Sequence, residues 1–463
     1  MLIYRPIFNQ VTYSIVYKSR IIMPFINRYN KSTTKQEYIS YKNEIKTIIA
    51  PRIVHDCSLN GEGKYGYGIS LNYSFNLPPR ADEFLEVSAD DVFSFNKMQV
   101  IQAKKSMQSW ADVANIYFTE AAGDESAYLG FYSYLQDNNR HGAAYHPNNL
   151  ILSPIYLNSF SSDGKKPTQS NYGAHILTHE IGHTLGLKHT HGAKNWPEEQ
   201  QHTQQVSIMS YQSEQASGAD YGGNSLSTPQ LYDIAAVQYL YGPNLTTRTG
   251  NTAYGFNSNS DRDFLTANTP TDKLIFCVWD AGGIDTFDFS GYTENQNIYL
   301  NELSFSDVGG LVANISIAAD VVIENAIGGS GNDKLVGNDV DNILTGGAGA
   351  DHLWGDEGNN IFRYNRTSDS TSTSSDTIHD FKSDKDKIDL SPLLFGDRNI
   401  AMVNRFSFSG QTEIQQKYDA VRDITYLMID FDNNVYETDM MIRLIGWHQL
   451  TLNNFITSPQ LTA

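Results

Sequence analysis

The strongest chemical signal in the chain is the run His179-Glu180-Ile181-Gly182-His183-Thr184-Leu185-Gly186-Leu187-Lys188-His189. On a helix, His179 and His183 stand one turn apart on one face, so both imidazoles can reach one cation. Glu180 lies beside that face, within reach of a metal-bound water. Leu177, Ile181 and Leu185 fall on the opposite face and anchor the helix in a core. Gly186 lets the chain leave the helix sharply, and that turn brings His189 back as a third ligand. Three histidines and one open position describe a catalytic zinc rather than a structural one. Such an ion lowers the pKa of its water to about 7 and polarises a carbonyl. Glu180 would then take the water proton and pass it to a leaving amine, with no covalent intermediate. His175 and His191 flank the run, and His191 is the rival to His189 for the third position.

Downstream lies Ser207-Ile208-Met209-Ser210-Tyr211. A lone Met is ordinarily core. After a zinc motif of this length the segment resembles the Met-turn that underlies the metal in metzincins, which would place Met209 beneath the imidazoles.

These residues need a scaffold. Residues 97–113 place Val100, Ala103, Met107, Trp110 and Val113 at helical spacing. The zinc motif predicts a second helix over about 173–187. A third follows Thr228-Pro229, an N-cap and N1 pair, and runs to Tyr241 before Gly242-Pro243. Strand-like runs stand at Asn115-Ile116-Tyr117-Phe118 and Leu150-Ile151-Leu152. The expectation is an α+β zinc domain over 51–242.

From 243 the texture changes to dense Gly, Asn and Asp with short β-branched runs. Residues 328–363 repeat with a nine-residue period: GGSGNDKLV, GNDVDNILT, GGAGADHLW and GDEGNNIFR. The pattern is that of a calcium-binding parallel β-roll, in which six residues turn and three form a strand. Leu335, Leu344, Leu353 and Phe362 occupy the apolar position. Successive turns alternate sides, so one side collects Asp333 and Asp351 with the carbonyls of Gly329, Gly331, Gly346 and Ala348. The other side offers Asn342 and Asn360, with Asn338, Val340, Gly355 and Glu357 as further calcium positions. Amide oxygens are neutral, so calcium there should be weaker, with Asp339 and Asp356 in compensation. The roll is expected over 243–395, including a Ser/Thr-rich loop at 366–376, and a C-terminal β region over 396–463.

Bulk properties narrow the classes. The chain has 463 residues, which suggests two or three domains. Its formal net charge of −19 argues against nucleic-acid binding, since it would repel phosphate. Two cysteines, Cys57 and Cys277, form no C-x-x-C, so a cysteine zinc site is excluded. Cys277 lies in an apolar run and is expected to be a buried small hydrophobe. No apolar run is long enough to span a bilayer. A Gly-x-Ser-x-Gly elbow is absent, which removes a lipase reading. Residues 1–50 are basic, against the trend of the rest, and read as a separate or removable extension, a possible propeptide. The N-terminus is broken by Arg5, Lys18 and Arg20 and makes a poor Sec signal.

Taken together, Met-Gln-Ser-Trp-Ala-Asp-Val-Ala-Asn (107–115), the zinc motif, Ser-Ile-Met-Ser-Tyr, Asp-Ile-Ala-Ala-Val-Gln (233–238), Trp-Asp-Ala-Gly-Gly (279–283) and the nonapeptides resemble the serralysin family. These are secreted metzincin endopeptidases of Gram-negative bacteria. The resemblance runs from about residue 100 to about 450. It implies cleavage of proteins and peptides with broad specificity. It implies that Tyr211 is an additional zinc ligand that swings away to support an oxyanion. Peptide would lie along an edge strand at Gly142-Ala143-Ala144-Tyr145. Calcium would bind Arg248, Gly250, Thr252, Asp280, Gly282 and Asp285, and again Gly283, Asp285, Val322 and Glu324. The resemblance also implies a secreted, extracellular monomer exported by a type I secretion apparatus. A roll that binds calcium at roughly 10⁻⁴–10⁻³ M would stay unfolded in the cytosol and fold outside.

Overall fold

The computed structural model describes residues 42, 43, 45, 46, 54, 59, 60, 64–121, 127–147, 152–190, 202–394, 400–432 and 437–458. Most of residues 1–50, together with Cys57 and His191, lies outside this set.

Helix α1 spans Lys97–Val113, as the periodicity predicts. Asn96 caps it: its carboxamide oxygen accepts from Met98 N at 2.9 Å and Gln99 N at 3.1 Å. Gln99 Oε1 returns the contact by accepting from Asn96 N at 2.8 Å, completing a capping box. Ala103, Met107, Trp110 and Val113 face the core. Helix α2, Tyr172–Thr184, carries the first two histidines and packs on α1. It ends a turn earlier than the spacing suggests, because Gly186 at φ +98° turns the chain out of the helix. Helix α3 spans Leu231–Tyr241 and starts two residues after Pro229. The reason is local: Asp233 accepts from Gln230 N at 2.9 Å, and that carboxylate sets the first turn.

These helices lie against a sheet of β1 (Ile69–Ser74), β2 (Val92–Ser94), β3 (Ile116–Glu120), β4 (Leu129–Tyr134), β5 (Gly142–Ala144) and β6 (Ser153–Asn158). The order is β3-β1-β4-β6-β5, with β2 on β4. β3, β1, β4 and β6 run parallel, whereas β5 is antiparallel to β6 and forms an edge. Of the strand expected at 150–152, residues 150 and 151 lie outside the described set, and the described strand β6 starts at Ser153.

Beyond Gly242 the chain winds as the repeat predicts. Asn325–Ile327, Ile343–Thr345 and Ile361–Arg363 fall in one sheet, and Lys334–Val336 and His352–Trp354 in the other. Strands 18 residues apart pair in parallel register, Leu335 with Leu353 and Leu344 with Phe362. Those four side chains are at most 1% exposed and fill the space between the sheets. The C-terminal strands are part of the same body. Met440–Ile445 pairs in parallel with Thr377–Ile378, and Phe455–Ile456 closes the opposite sheet.

The two halves share one apolar core. A buried ion pair clasps them: the Asp112 carboxylate on α1 accepts from Arg262 Nε and Nη2, each at 2.8 Å, and from Arg248 Nη1 at 3.1 Å. Both guanidinium groups hold Asp112 below its usual range although burial pushes it up. Of the basic N-terminal stretch, Ile45 is buried in this core. Lys42 Nζ bonds Glu302 at 2.6 Å and Asp320 at 2.8 Å, and Lys46 also reaches Asp320. Cys277 is buried on the strand Phe276–Val278 and unpaired. Among the described residues, no helix is long and apolar enough to cross a membrane.

Candidate active site

Helix α2 and the turn after it bring three imidazoles to one point. His189 Nε2 lies 3.2 Å from His179 Nε2 and 2.9 Å from His183 Nε2. The other nitrogens are already committed. His179 Nδ1 is 2.8 Å from the Ile208 carbonyl, and His183 Nδ1 is 2.8 Å from the Leu187 carbonyl. A carbonyl only accepts, so each Nδ1 carries the proton and each Nε2 presents a lone pair. Burial lowers the pKa of both rings, His183 to about 3, so they stay neutral, the form that binds a metal. The three Nε2 atoms converge within reach of one ion, and a soft-to-borderline divalent ion such as zinc fits the donor set.

The floor below is apolar. Met209 is fully buried under α2. Its loop is held by Asp233, which accepts from Ser207 Oγ and Ile208 N, each at 2.6 Å. Burial pushes this carboxyl up to about 7, and its donors pull the other way. Asp233 thus fixes the Ile208 carbonyl that in turn orients His179. Trp110 of α1 donates from Nε1 to the Thr178 carbonyl at 3.1 Å, and Tyr241 of α3 donates to the Leu185 carbonyl at 2.7 Å. The zinc helix is therefore braced at its middle and at its C-terminal end. His175 stacks between Tyr172 and His179 and stays with the helix rather than the nitrogens' meeting point.

Glu180 is buried, and burial alone pushes its pKa up to about 8 in the absence of a cation. It borders the edge strand: a β-carbon built on Gly142 would lie 3.0 Å from Glu180 Oε1. Tyr211 is 65% exposed, with its ring centroid 4.3 Å from that of His189. It stands at the rim of the histidine cluster.

Similarity to known proteins agrees with this geometry. Residues 166–254 match a family described as Met-zincin, and residues 243–457 match the family described as Peptidase M10 serralysin C terminal. Serralysin A of Dickeya chrysanthemi is 46% identical over 409 residues, which cover 84% of this chain and 85% of that protein. This chain belongs to the serralysin family. Metalloprotease AprA of Pseudomonas entomophila (strain L48) is 44% identical over 412 residues, covering 83% and 84% of the two chains. Serralysin of Proteus mirabilis is 39% identical and covers 90% of this chain and 93% of its own. The protein is a zinc-dependent metalloendopeptidase that acts on proteins.

In this serralysin the roll's turns also bring oxygens together. Asp333 N donates to Asp351 Oδ1 at 2.7 Å, and Asp351 N to Asp376 Oδ1 at 2.9 Å, so three carboxylates line one side. Gly346 crowds the same spot: its β-carbon would meet Asp351 Oδ2 at 2.3 Å. Asp351 Oδ2 and Asp376 Oδ2 are buried without a hydrogen bond. Desolvation pushes Asp333 up to about 6 and Asp351 to about 8. Upstream, Thr252 N donates to Asp285 Oδ1 at 2.8 Å and Asp285 N to Glu324 Oε2 at 2.7 Å, while Gly282 N reaches Asp280 at 2.7 Å. The Gly250 carbonyl lies against Gly283, and Arg248 turns there with φ +50°. Val322 shares a cavity wall with Asp280, Gly282 and Glu324.

The opposite side differs. Asn342 Nδ2 donates to Asn338 Oδ1 and Asn360 Nδ2 to the Glu357 carbonyl, each at 2.9 Å. Amide hydrogens stand where a cation would. Val340 and Gly355 flank this closed face: Val340 N donates to Asn338 Oδ1 at 3.2 Å, and Gly355 N to Asp380 Oδ1 at 2.8 Å. Asp376 and Asp233 escaped the reading of individual residues. Asp376 follows Asp351 by 25 residues, not 18, because the Ser/Thr-rich loop interrupts the period. Asp233 had its signal only within the family motif 233–238.

Proposed function

We propose that this serralysin hydrolyses proteins with broad specificity, with Glu180 as general base and His179, His183 and His189 as the zinc ligands. The meeting of three Nε2 atoms, two of them with Nδ1 fixed by backbone carbonyls, carries this reading. A zinc ion held there would acidify a bound water and polarise the scissile carbonyl. Glu180 takes the proton from the attacking water and delivers it to the leaving nitrogen. Tyr211 stands at the rim, its ring beside that of His189, where its hydroxyl would support a developing oxyanion and, without substrate, would be a further ligand to a zinc held by the three histidines. β5 offers its free backbone edge to an extended peptide, because antiparallel pairing with β6 uses only one side.

Calcium occupies the carboxylate side of the roll and the Arg248–Asp285 and Gly283–Glu324 loops. Buried carboxylates with unbonded oxygens support this, since each is costly without a cation. The amide side, with Asn338, Val340, Asn342, Gly355, Glu357 and Asn360, closes on its own hydrogens and binds calcium more weakly. Folding that waits for calcium suits export through a type I secretion apparatus to an extracellular site, where the protein acts as a monomer.

Casein hydrolysis in calcium buffer tests the base assignment. The parent should be active, and Glu180→Ala should lose about 10³-fold or more with zinc still bound. A Glu180→Ala variant that keeps full activity would remove Glu180 from the mechanism.

A further inference from the structure

Helix α1 touches the zinc helix along its core face and the first loop of the roll at its C-terminus. Toward the zinc site, Trp110 donates from Nε1 to the carbonyl of Thr178, the residue before His179. Its ring also lies under Gly182, where a β-carbon would meet Trp110 Cζ2 at 3.1 Å. Toward the roll, the last three carbonyls of α1 are taken by side chains of residues 238–247. Asn244 Nδ2 donates to the Ala111 carbonyl at 2.8 Å, Thr247 Oγ1 to that of Asp112 at 2.7 Å and Gln238 Nε2 to that of Val113 at 2.9 Å. A helix leaves such carbonyls without partners of its own, so these side chains set the seat of α1.

Arg248 follows directly, and its side chain and backbone serve different neighbours. The guanidinium donates from Nη1 to Asp112 Oδ2 at 3.1 Å and from Nη2 to the Trp279 carbonyl at 2.7 Å. Asp112 is two residues past Trp110, 4% exposed, and also gripped by Arg262. The Arg248 backbone is left-handed, with φ +50°. A residue with a β-carbon holds that conformation only where its surroundings impose it. Here the Arg248 carbonyl belongs to the calcium loop, with Gly250, Thr252, Asp280, Gly282 and Asp285. The facing arm of the loop is tied to the same stretch: Ala281 N donates to the Thr247 carbonyl at 3.1 Å, and Trp279 Nε1 to the Asn244 carbonyl at 2.9 Å. Residues 244–248 are therefore pinned between α1 and the arm that begins at Trp279.

We propose that Arg248 and Asp112 couple the two metal sites, so that calcium in the Arg248–Asp285 loop tightens the hold on zinc at His179, His183 and His189. The proposal rests on the calcium assignment made above. The element with two states is the Arg248 backbone. With the loop filled, the left-handed turn is kept, the guanidinium reaches Asp112, and α1 holds Trp110 against Thr178 and Gly182. With the loop empty, the strained turn relaxes, the guanidinium withdraws and α1 loses part of its seat. His179 and His183 are then held less firmly for an ion. Such coupling is reciprocal, so zinc also strengthens calcium in this loop. Arg248 and Asp112 are positioning residues, since neither reaches zinc or substrate.

Competition for zinc by a chelator selective for zinc over calcium tests this. It is run at the lowest calcium that keeps the roll folded by circular dichroism, and at saturation. Zinc retention by the parent should rise about tenfold with calcium. Arg248→Gln keeps the backbone carbonyl and the Arg262–Asp112 pair, and the rise should shrink to about twofold or less. Trp110→Phe removes the bond to Thr178 at the other end of α1 and should shrink it equally. If one variant fails to fold, the other still reads the coupling. A role confined to stability would weaken zinc equally at both calcium levels and leave the parental ratio. That ratio in the folded variants would overturn the inference, as would a parent that binds calcium by calorimetry yet holds zinc equally at both levels. A parent that binds no calcium would remove the calcium assignment, and this inference with it.

Discussion

Gly182 and Met209 are in contact across the floor of the histidine cluster: a β-carbon on Gly182 would lie 2.6 Å from Met209 Sδ and 3.1 Å from Trp110 Cζ2. The helix that carries the ligands can approach the Met-turn only because residue 182 has no side chain. Gly182→Ala should therefore overpack the floor and cost about 1–3 kcal/mol. Urea unfolding of the metal-loaded protein reads this directly. Unchanged stability would mean that the Met209 side chain gives way, and the floor is softer than the geometry states.

Gly142 plays the equivalent part above the site. An added methyl there would meet Ile176 Cγ2 at 2.5 Å and Glu180 Oε1 at 3.0 Å. Gly142→Ala should displace Glu180 or the strand, and kcat/KM on casein should fall by about 10–100-fold. Zinc content, measured by atomic absorption, should not change, since no ligand is touched. A variant with parental kcat/KM would show that β5 moves outward without consequence.

Asp233 holds the Met-turn through Ser207 and Ile208. Asp233→Asn keeps the shape but replaces an acceptor oxygen with a donor amide. The loss should be about 1–3 kcal/mol, with weaker zinc retention because the Ile208 carbonyl orients His179. Competition with a chelator measures the second effect, and unaltered retention would confine Asp233 to folding.

The roll's carboxylates predict a pH dependence that calcium reverses. Asp285 and Asp351 have folded pKa values raised to about 7 and about 8 by burial. The unfolded chain ionises them near 4, so between about pH 4 and 8 the folded state binds more protons than the unfolded one. Stability without a cation must then fall as pH rises through that window. In chelator, the folded fraction of the roll, read by circular dichroism, should be higher at pH 5 than at pH 8. With saturating calcium the order should invert, because the cation binds only the ionised form. Circular dichroism at both pH values decides it, and a chelated roll that is more stable at pH 8 would refute the assignment of buried, uncompensated carboxylates.

The sequence by itself determined the parts whose chemistry is local. His179, Glu180 and His183 are four residues or fewer apart on one helix, so spacing alone puts them on one face. Gly186 announces the helix end, though not its register, since the cap at Leu185 depends on how the chain turns toward His189. The nine-residue period fixed the roll's strands because each apolar residue must point inward every turn. Tertiary structure decided what depends on distant residues meeting. Asp233 reaches the Met-turn across 25 residues, Asp376 enters the carboxylate side past a loop that breaks the period, and Gly142 meets Glu180 only when the sheet edge folds over α2. The roll's sheet pairs strands as far apart in sequence as Thr377 and Arg443, and no spacing rule connects them. Local geometry is written in i, i+4 and i, i+9 patterns; long-range contacts are set by packing and strand order, which a linear pattern does not contain.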